Sequence, residues 1–344
     1  MAFEIVATGR AVPSNRITND ELAKKLDTSD EWIRSHTGIG NRHIADEQTA
    51  TSDLAVAASH AALQMLVEND KTLGGSIEAA AESLDVVIVA TASPDYFGFP
   101  STACLVQDRL GAKKAAAMDV VAGCTGFIYG VETAAGMLSI RQDRKRALVI
   151  GAEILSKITD WKDRGTCVLF GDGAGAVIVE KTDAASTGPG KRGLLRSILG
   201  ADGSGGEYLI MRRGGTRNPY KQGETLDQPP HIEMNGRAVY NFAVKAVTDT
   251  MEQLLKEEGL SVGDLARIVP HQANARIVQA AAKRLGIPEE KFFINIEEYA
   301  NTSAASVPIA LDELNRSGGL TKGDLIMTLG FGAGLTYGGN LLVW

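Results

Sequence analysis

The chain of 344 residues is long for one domain and sufficient for two, at about 150 residues per domain. Hydrophobic residues make up 44% and charged residues 22% of the sequence, which is typical of a soluble globular protein. The net charge of −7 argues against broad nucleic-acid binding. The first residues lack a basic segment followed by an apolar one, and no apolar run reaches the roughly 18 residues that span a membrane. We therefore expect no signal peptide, no membrane association and no nucleic-acid partner.

The three cysteines, Cys104, Cys124 and Cys167, are odd in number and lack the spacing of metal ligands. Free thiols are typical of a reducing compartment. We therefore expect a cytoplasmic protein with reduced cysteines and no metal site.

Strand and helix patterns alternate along the chain, which predicts an α/β fold. In the first half, a strand is followed by a helix that ends at Gly111, a second strand, a turn around Cys124, a second helix and a third strand. The strand patterns of this half cover residues 85–91, 118–121 and 147–153.

The second half repeats this order, with a helix that ends at Gly286 and a turn that begins at Asn301. In both halves the first helix ends on the letters Arg-Leu-Gly, and a glycine-rich turn leads into the last strand. The strand patterns of the second half cover residues 265–269, 291–296 and 324–329.

This repetition predicts two related halves, at residues 1–182 and 193–344, joined by a polar linker at 183–192 that is rich in glycine and proline. The Cys124 turn then lies almost opposite the Asn301 turn. We expect the loops of both halves to face one shared cleft.

Cys124 lies on a predicted strand-to-helix turn, between a buried strand and the helical pattern at 127–138. The partial positive charge and the free N–H groups at a helix N-terminus favour a thiolate, which is the nucleophilic form of cysteine. A small buried hydrophobe is the ordinary role of an isolated cysteine. Two downstream polar motifs favour the nucleophile here.

His271 directly follows an apolar strand, and Asn301 lies at the next strand-to-loop junction. Both side chains can donate hydrogen bonds to a carbonyl oxygen as it becomes an enolate, so that fixed donors hold the developing charge. A histidine and an amide near a cysteine at a helix terminus therefore point to thioester chemistry.

At these residues the chain closely resembles the β-ketoacyl-acyl carrier protein synthase III family, the condensing enzymes that start type II fatty-acid synthesis. The resemblance runs nearly end to end. It includes TSDEWI at 28–33, TGI at 37–39, FPSTAC at 99–104, the segment 119–127, DRGTCVLFGDGAGA at 163–176, PHQAN at 270–274, NTSAASVP at 301–308 and FGAGLTYG at 331–338.

The resemblance implies a five-layered αβαβα thiolase-like fold with two related halves, and a homodimer. It also implies a ping-pong reaction without a cofactor, in which acyl-CoA and malonyl-acyl carrier protein are the substrates. Cys124 takes a short acyl group from acyl-CoA, malonyl-acyl carrier protein then loses CO₂, and the carbanion attacks the acyl-cysteine. The product is a 3-ketoacyl-carrier protein.

The same resemblance implies roles for individual residues. Cys124 is the nucleophile, and His271 and Asn301 stabilise the enolate. The backbone N–H groups of Cys124 and Gly334 form a second oxyanion hole. The remaining implied roles are CoA binding by Trp32, Arg164 and Asn274, carrier-protein binding by Arg276, Lys283 and Arg284, and a contribution of Phe99 to the partner's acyl pocket.

Several residues depart from the family pattern. An arginine is usual where this chain has His36, and a basic residue is common where it has Gly40, so the hold on the nucleotide end of CoA is expected to be weaker or rearranged. Arg237 replaces a usual asparagine, and its charge could compensate through phosphate. Ala300 stands where glycine is typical and could shift the next turn. One extra residue before Phe99 could reshape the acyl pocket.

Three alternatives differ in function. A relative in secondary metabolism would use the same three residues with a different starter or product. A degradative thiolase needs a second catalytic cysteine near the C-terminus, and this chain has no cysteine after Cys167. A non-enzymatic relative is expected to have lost part of the Cys–His–Asn set, which is present here.

Overall fold

The computed structural model describes residues 1–184, 190–226 and 229–344. Strands and helices alternate along it, as the sequence patterns predict. The strands are β1 Ala2–Ala11, β2 Arg16–Thr18, β3 Asn41–His43, β4 Val86–Ala90, β5 Ala116–Val120, β6 Arg146–Ile154, β7 Asp172–Thr182, β8 Gly193–Ala201, β9 Leu209–Ile210, β10 Glu233–Met234, β11 Arg267–Pro270, β12 Leu325–Gly332 and β13 Thr336–Val343. The α-helices are α1 Asn19–Ala23, α2 Asp30–Thr37, α3 Thr51–Asn69, α4 Ile77–Glu82, α5 Thr102–Leu110, α6 Gly126–Ile140, α7 Gly236–Glu258, α8 Ala275–Leu285, α9 Ile296–Tyr299 and α10 Ser306–Arg316.

Two larger sheets have the same topology. The first has the strand order β1-β7-β6-β4-β5, and the second has the order β8-β13-β12-β11. In the first sheet, β4 runs parallel to both β5 and β6. In the second sheet, β11 runs parallel to β12. The two strands that complete each sheet are antiparallel to their neighbours. The predicted repeat therefore corresponds to two matching sheets.

The hydrophobic core divides the molecule into five layers. In β4, Val87 and Val89 pack on one side against α3 and α5, whereas Val86 and Ile88 pack on the other side against α6. Strands buried on both faces are apolar at every position, which explains the sequence VVIVA. Helices α6 and α10 lie between the two sheets, and α7 and α8 cover the outer face of the second. The αβαβα fold predicted from the resemblance is confirmed.

The prediction of a strand at 291–296 is wrong. This segment forms a 3-10 turn at Glu289–Lys291, and Phe292 contributes one isolated bridge to Ile268. The side chain of Gln272 takes backbone groups of this segment that would otherwise pair with a neighbouring strand. Its Nε2 donates to Phe293 O at 3.2 Å, and its Oε1 accepts from Asn295 N at 3.1 Å. The second sheet therefore ends one strand earlier than the first.

The predicted linker lies between β7, which ends at Thr182, and β8, which begins at Gly193. Its residues 185–189 lie outside the described residues. Within the described part of the chain, no helix is long and apolar enough to cross a membrane.

Candidate active site

Two short 3-10 turns meet between the sheets. Gly123–Thr125 follows β5 and leads into α6, and Ser303–Ala305 leads into α10. Each turn begins with a residue in the left-handed region, Gly123 at φ 51° and Ser303 at φ 49°. The prediction that the Cys124 turn faces the Asn301 turn is confirmed by this contact.

Cys124 is the middle residue of the first turn and is 8% exposed. Gly332, at the end of β12, lies directly against it: a Cβ on Gly332 would be 2.9 Å from the Cys124 sulfur. Any side chain at 332 would therefore displace the thiol. Gly332 was not identified from the sequence, because a glycine in a glycine-rich turn has no distinguishing pattern.

The expected preference of Cys124 for the thiolate is wrong for the resting protein. Burial raises the pKa of the thiol to about 11, and the nearby charge of Glu153 adds to this. Hydrogen bonds from the Ser303 hydroxyl and from the Ala333 backbone N–H lower the pKa, but less than burial raises it. Cys124 is therefore a thiol at neutral pH.

His271 follows β11 and is 1% exposed. Burial lowers its pKa to about 3, so the imidazole is neutral at physiological pH. Its Nδ1 lies 2.6 Å from the Ser306 hydroxyl, and its ring contacts Phe331 edge-on at 5.1 Å between centroids. These contacts fix the ring orientation.

Asn301 is held by backbone and side-chain hydrogen bonds. Its N–H donates to Leu169 O at 2.9 Å, and its side-chain Oδ1 accepts from Ser303 N at 2.9 Å. Because the oxygen end of the amide is engaged, the Nδ2 end is the end available to a substrate carbonyl. Ala300, immediately before it, has φ 56° and ψ −159°, a conformation that strongly favours glycine.

Cys124, His271 and Asn301 line one cavity of about 480 Å³, so the structure brings the three predicted catalytic residues together. The cavity also reaches Trp32, Arg164 and Asn274. A second compartment of about 120 Å³ opens beside Cys124. Its walls are mainly apolar and comprise Ala92, Gly123, Leu155, Ile158, Phe170, Leu209, Ile210, Met211, Ile232, Ser303 and Ala333.

The mouth of the larger cavity carries the predicted CoA-binding residues. The Trp32 ring is stacked on His36 with 4.4 Å between centroids, and the Arg164 guanidinium carbon lies 5.2 Å from the Trp32 ring. Asn274 caps helix α8 through Arg276 N and donates to His36 O at 3.0 Å. The role of these residues in CoA binding remains a prediction.

Arg34 occupies the space beside Gly40. A Cβ on Gly40 would lie 2.6 Å from Nη2 of Arg34, whose guanidinium pairs with Asp30 and Glu297. The space beside position 40 is therefore already filled by the guanidinium group of a residue six positions earlier.

Two further groups of predicted residues lie on the surface. Arg276, Lys283 and Arg284 are exposed on α8, opposite its buried face. Phe99 is 88% exposed. Tyr96 and Phe97, which precede it in the chain, and Val121, which directly follows β5, are exposed as well. Their carrier-protein and acyl-pocket roles remain predictions.

The N–H of Ala333 lies close to the Cys124 sulfur. The role of the Cys124 and Gly334 N–H groups in a second oxyanion hole remains a prediction. Gly334 lies one residue further along, at φ 134°, where a Cβ would be 2.8 Å from Thr336 Cγ2. Its glycine is explained by this backbone conformation. Ala333 was missed in the sequence because its N–H, not its side chain, contacts the site.

Comparison with known proteins assigns the family. Residues 118–203 match the model of 3-oxoacyl-[acyl-carrier-protein] synthase III, and residues 255–344 match the model of its C-terminal part. The chain is 49% identical to a β-ketoacyl-[acyl-carrier-protein] synthase III of Caldanaerobacter subterraneus, over 100% of this chain and 98% of the relative. It is 48% identical to that of Natranaerobius thermophilus, over 99% of both. The crystal structure of 3-oxoacyl-[acyl-carrier-protein] synthase III from Aquifex aeolicus superposes with a TM-score of 0.86 at 40% identity and covers 100% of both chains.

The two matching sheets, together with a cysteine, a histidine and an asparagine around one cavity, define an acyl-transferring condensing enzyme of the thiolase fold. Within that class, the chain belongs to the β-ketoacyl-acyl carrier protein synthase III family.

Proposed function

We propose that the protein condenses a short acyl group from acyl-CoA with malonyl-acyl carrier protein by a ping-pong mechanism through acyl-Cys124. The observation that carries this proposal is the position of Cys124 between two compartments. One compartment contains His271 and Asn301 and leads to Trp32 at the surface, and the other is small and apolar.

In the first half-reaction, the neutral imidazole of His271 accepts the proton of Cys124. The thiolate attacks the carbonyl carbon of acyl-CoA, and the tetrahedral intermediate collapses with cleavage of the bond to the CoA sulfur. CoA leaves as the thiol with the proton from His271. In this proposal the backbone N–H groups of Cys124 and Gly334 hold the oxyanion, and the N–H of Ala333 also lies close to the sulfur.

In the second half-reaction, the thioester carbonyl of malonyl-acyl carrier protein accepts hydrogen bonds from Asn301 Nδ2 and His271. The bond to the carboxylate breaks, CO₂ leaves, and its electron pair becomes the enolate, which attacks the acyl-cysteine carbonyl. Cys124 leaves as a thiolate and takes up one proton from solvent, which balances the proton that left with CoA. Ser306 holds the His271 ring in place, because its hydroxyl lies 2.6 Å from Nδ1 and also donates to Ser303 O at 2.8 Å.

The small compartment supports a short, apolar starter. Its volume of about 120 Å³ corresponds to a few methylene groups beyond the thioester carbonyl, at about 30 Å³ for a group the size of water. Its mainly apolar wall leaves a charged or hydroxylated starter without partners.

The proposal includes two macromolecular partners. The exposed cations Arg276, Lys283 and Arg284 on α8 are suited to receive an acidic carrier protein at the surface of an otherwise acidic enzyme. The exposed Phe99 is suited to a homodimer in which it reaches the partner's acyl compartment. The reaction uses no cofactor, and we place it in the cytoplasm, where the free cysteines stay reduced.

The test is incubation with a mixture of acetyl-, isobutyryl-, hexanoyl- and octanoyl-CoA, followed by intact-mass measurement, with Cys124→Ala as the matched control. We expect one short-chain adduct that is absent from the variant. A second incubation with malonyl-acyl carrier protein should convert the adduct to a 3-ketoacyl-carrier protein.

Absence of an adduct from every CoA ester would overturn CoA priming. An adduct that forms but does not support growth of a strain lacking the housekeeping synthase would instead favour a role in secondary metabolism.

A further inference from the structure

Thr336 is the first residue of β13 and has no part in the reaction described above. Its hydroxyl oxygen lies 2.8 Å from Ala122 O, 2.9 Å from Ala333 O and 3.0 Å from the Thr125 hydroxyl. Ala122 directly precedes the Cys124 turn and Thr125 ends it, and they are 214 and 211 residues away from Thr336 in the chain. One side chain of the second half therefore contacts both ends of the turn that carries Cys124.

The direction of these hydrogen bonds follows from the donors that are present. A carbonyl oxygen can only accept, so the single hydroxyl hydrogen of Thr336 is donated to Ala122 O or to Ala333 O. The hydroxyl of Thr125, which is 0% exposed, then donates to Thr336 Oγ1. Among the described residues, Thr336 is the hydrogen-bond partner of this hydroxyl. Removal of the Thr336 hydroxyl would leave a buried donor without its partner.

The backbone on either side of this contact is closely packed beside the nucleophile. The turn 333–335 joins β12 to β13 and lies against the Cys124 turn. A Cβ on Gly123 would lie 3.0 Å from Ala333 O, and a Cβ on Gly332 would lie 2.9 Å from the Cys124 sulfur. A small displacement of either turn would therefore change the surroundings of the sulfur.

The other side of the turn 333–335 is held by backbone hydrogen bonds. Leu335 N–H donates to Asp202 O at 3.0 Å, and Asp202 N–H donates to Leu335 O at 2.8 Å. Asp202 belongs to the second half, so this pair holds the turn to its own half. Residues 333–335 carry no polar side chain. The Thr336 hydroxyl therefore supplies the side-chain hydrogen bonds that join this end of β13 to the Cys124 turn.

We propose that Thr336 is a positioning residue for acyl transfer to Cys124. Its hydroxyl holds the Cys124 turn of the first half against the turn 333–335 of the second half. The proposed oxyanion hole takes one backbone N–H from each of these turns, from Cys124 and from Gly334, so their separation decides whether both reach the same oxygen. Thr336 lines neither compartment and acts through the two turns. This inference rests on the proposed function.

The test compares Thr336→Val with Thr336→Ser in single-turnover acylation, followed by intact-mass measurement. The probe is the ester that wild type prefers among acetyl-, isobutyryl-, hexanoyl- and octanoyl-CoA. Valine keeps the branched shape and removes the hydroxyl, whereas serine keeps the hydroxyl. At a saturating ester concentration, Thr336→Val should slow acylation about tenfold to a hundredfold, because a small misplacement of reacting groups costs up to about 10²-fold. Thr336→Ser should react at the wild-type rate, and the ester concentration at half-maximal rate should be unchanged in both variants.

Thr328→Val is the matched control. Thr328 lies in β12, is 1% exposed, and its hydroxyl has no hydrogen-bond partner among the described residues. The same substitution there should leave acylation unchanged. Release of CO₂ from malonyl-acyl carrier protein should be unchanged in Thr336→Val, because its proposed donors, Asn301 and His271, lie outside the two turns that Thr336 joins. A merely structural role would lower both steps together.

A wild-type acylation rate in Thr336→Val, or an equal loss in Thr336→Ser, would overturn the inference and leave the proposed function standing. An equal fall of acylation and CO₂ release would also overturn it. If no CoA ester acylates the wild-type protein, the proposed function fails and the inference fails with it. If Thr336→Val does not fold, Thr125→Val against Thr125→Ser removes the hydroxyl from the other end of the contact and is judged by the same outcomes.

Discussion

The two turns that meet at the active site share a backbone shape and differ in chemistry. Gly123 and Ser303 both begin a 3-10 turn with φ near 50°. In the proposed reaction the first turn carries the nucleophile, and it has glycine at its strained position. The second turn follows the proposed donor Asn301, and both Ser303 in the turn and Ala300 before it carry side chains at strained positions. The two turns thus share a backbone geometry, and the proposed function gives each one part of the reaction.

This division predicts that the two half-reactions can be separated by mutation. Cys124→Ala should abolish the acyl adduct and reduce condensation by about 10⁴-fold or more, because no other group accepts the acyl chain. Decarboxylation of malonyl-acyl carrier protein should persist, since its donors come from the other half. Intact-mass measurement and CO₂ release check the two steps. Loss of both steps in a folded variant would contradict the division.

Asn301→Ala is the complementary change in the second turn. It removes the Nδ2 donor to the enolate, and loss of one such donor costs about 10²–10³ in rate. Decarboxylation should fall by that factor while the acyl adduct still forms at the wild-type rate. A slower acylation step in stopped-flow measurements would mean that the two turns do not act independently.

Burial of His271 makes stability depend on pH. Its folded-state pKa of about 3 lies below the ordinary value of 6.5, so the unfolded chain binds the proton more readily. Stability from this group is complete above about pH 6.5 and is lost as the pH falls towards 3. Between pH 7 and pH 5 the loss is about 2 kcal/mol. Chemical denaturation at both pH values should show it, and His271→Gln should show less; equal losses would contradict a neutral buried imidazole.

Because of backbone strain, we expect substitutions at Gly123 and at Ala300 to change the stability of the protein differently. Gly123→Ala is expected to destabilise the protein by about 1–3 kcal/mol, because a Cβ there is strained and lies 3.0 Å from Ala333. Ala300→Gly should be stabilising or neutral, because relief of strain offsets about 0.8 kcal/mol for the buried methyl group. Thermal unfolding checks both. Destabilisation by Ala300→Gly comparable to that of Gly123→Ala would show that strain does not differ between the turns.

The smallest expected effect concerns Arg34, which fills the space beside Gly40 and pairs across the halves with Glu297. Arg34→Ala should raise the KM for acyl-CoA about threefold, in line with an exposed ion pair worth up to about 1 kcal/mol. The KM for malonyl-acyl carrier protein should not change. Arg141→Ala, which breaks a surface pair with Asp143, is the matched control. An equal rise of both KM values would assign Arg34 a structural role instead.

The sequence predicts the alternation of elements and the Cys124 turn because these depend on local patterns. Apolar strands, small residues at the turn and an Ala- and Gly-rich helix are visible within about 20 letters. The same patterns select His271 and Asn301, which lie far from Cys124 in the chain, and the resemblance gives them their roles. Their meeting in one cavity follows from the matching sheets.

The remaining features depend on contacts that a linear pattern does not contain. The apolar run at 291–296 predicts a strand, yet Gln272 takes the backbone partners of that segment. The raised pKa of Cys124 reflects burial by both halves, which outweighs the helix terminus. The guanidinium group of Arg34 fills the space beside Gly40. In each case a contact in space decides the outcome.

The Gln272 side chain also has a consequence for how copies of the chain can assemble. An unpaired strand at the edge of a sheet can recruit another strand, and a subunit with two such edges can polymerise. Strand β5 lies at the edge of the first sheet, and the exposed Val121 directly follows it. The matching edge of the second sheet is closed by an amide side chain and a helical turn. An additional strand can therefore pair with the first sheet at β5, whereas the corresponding edge of the second sheet is already occupied.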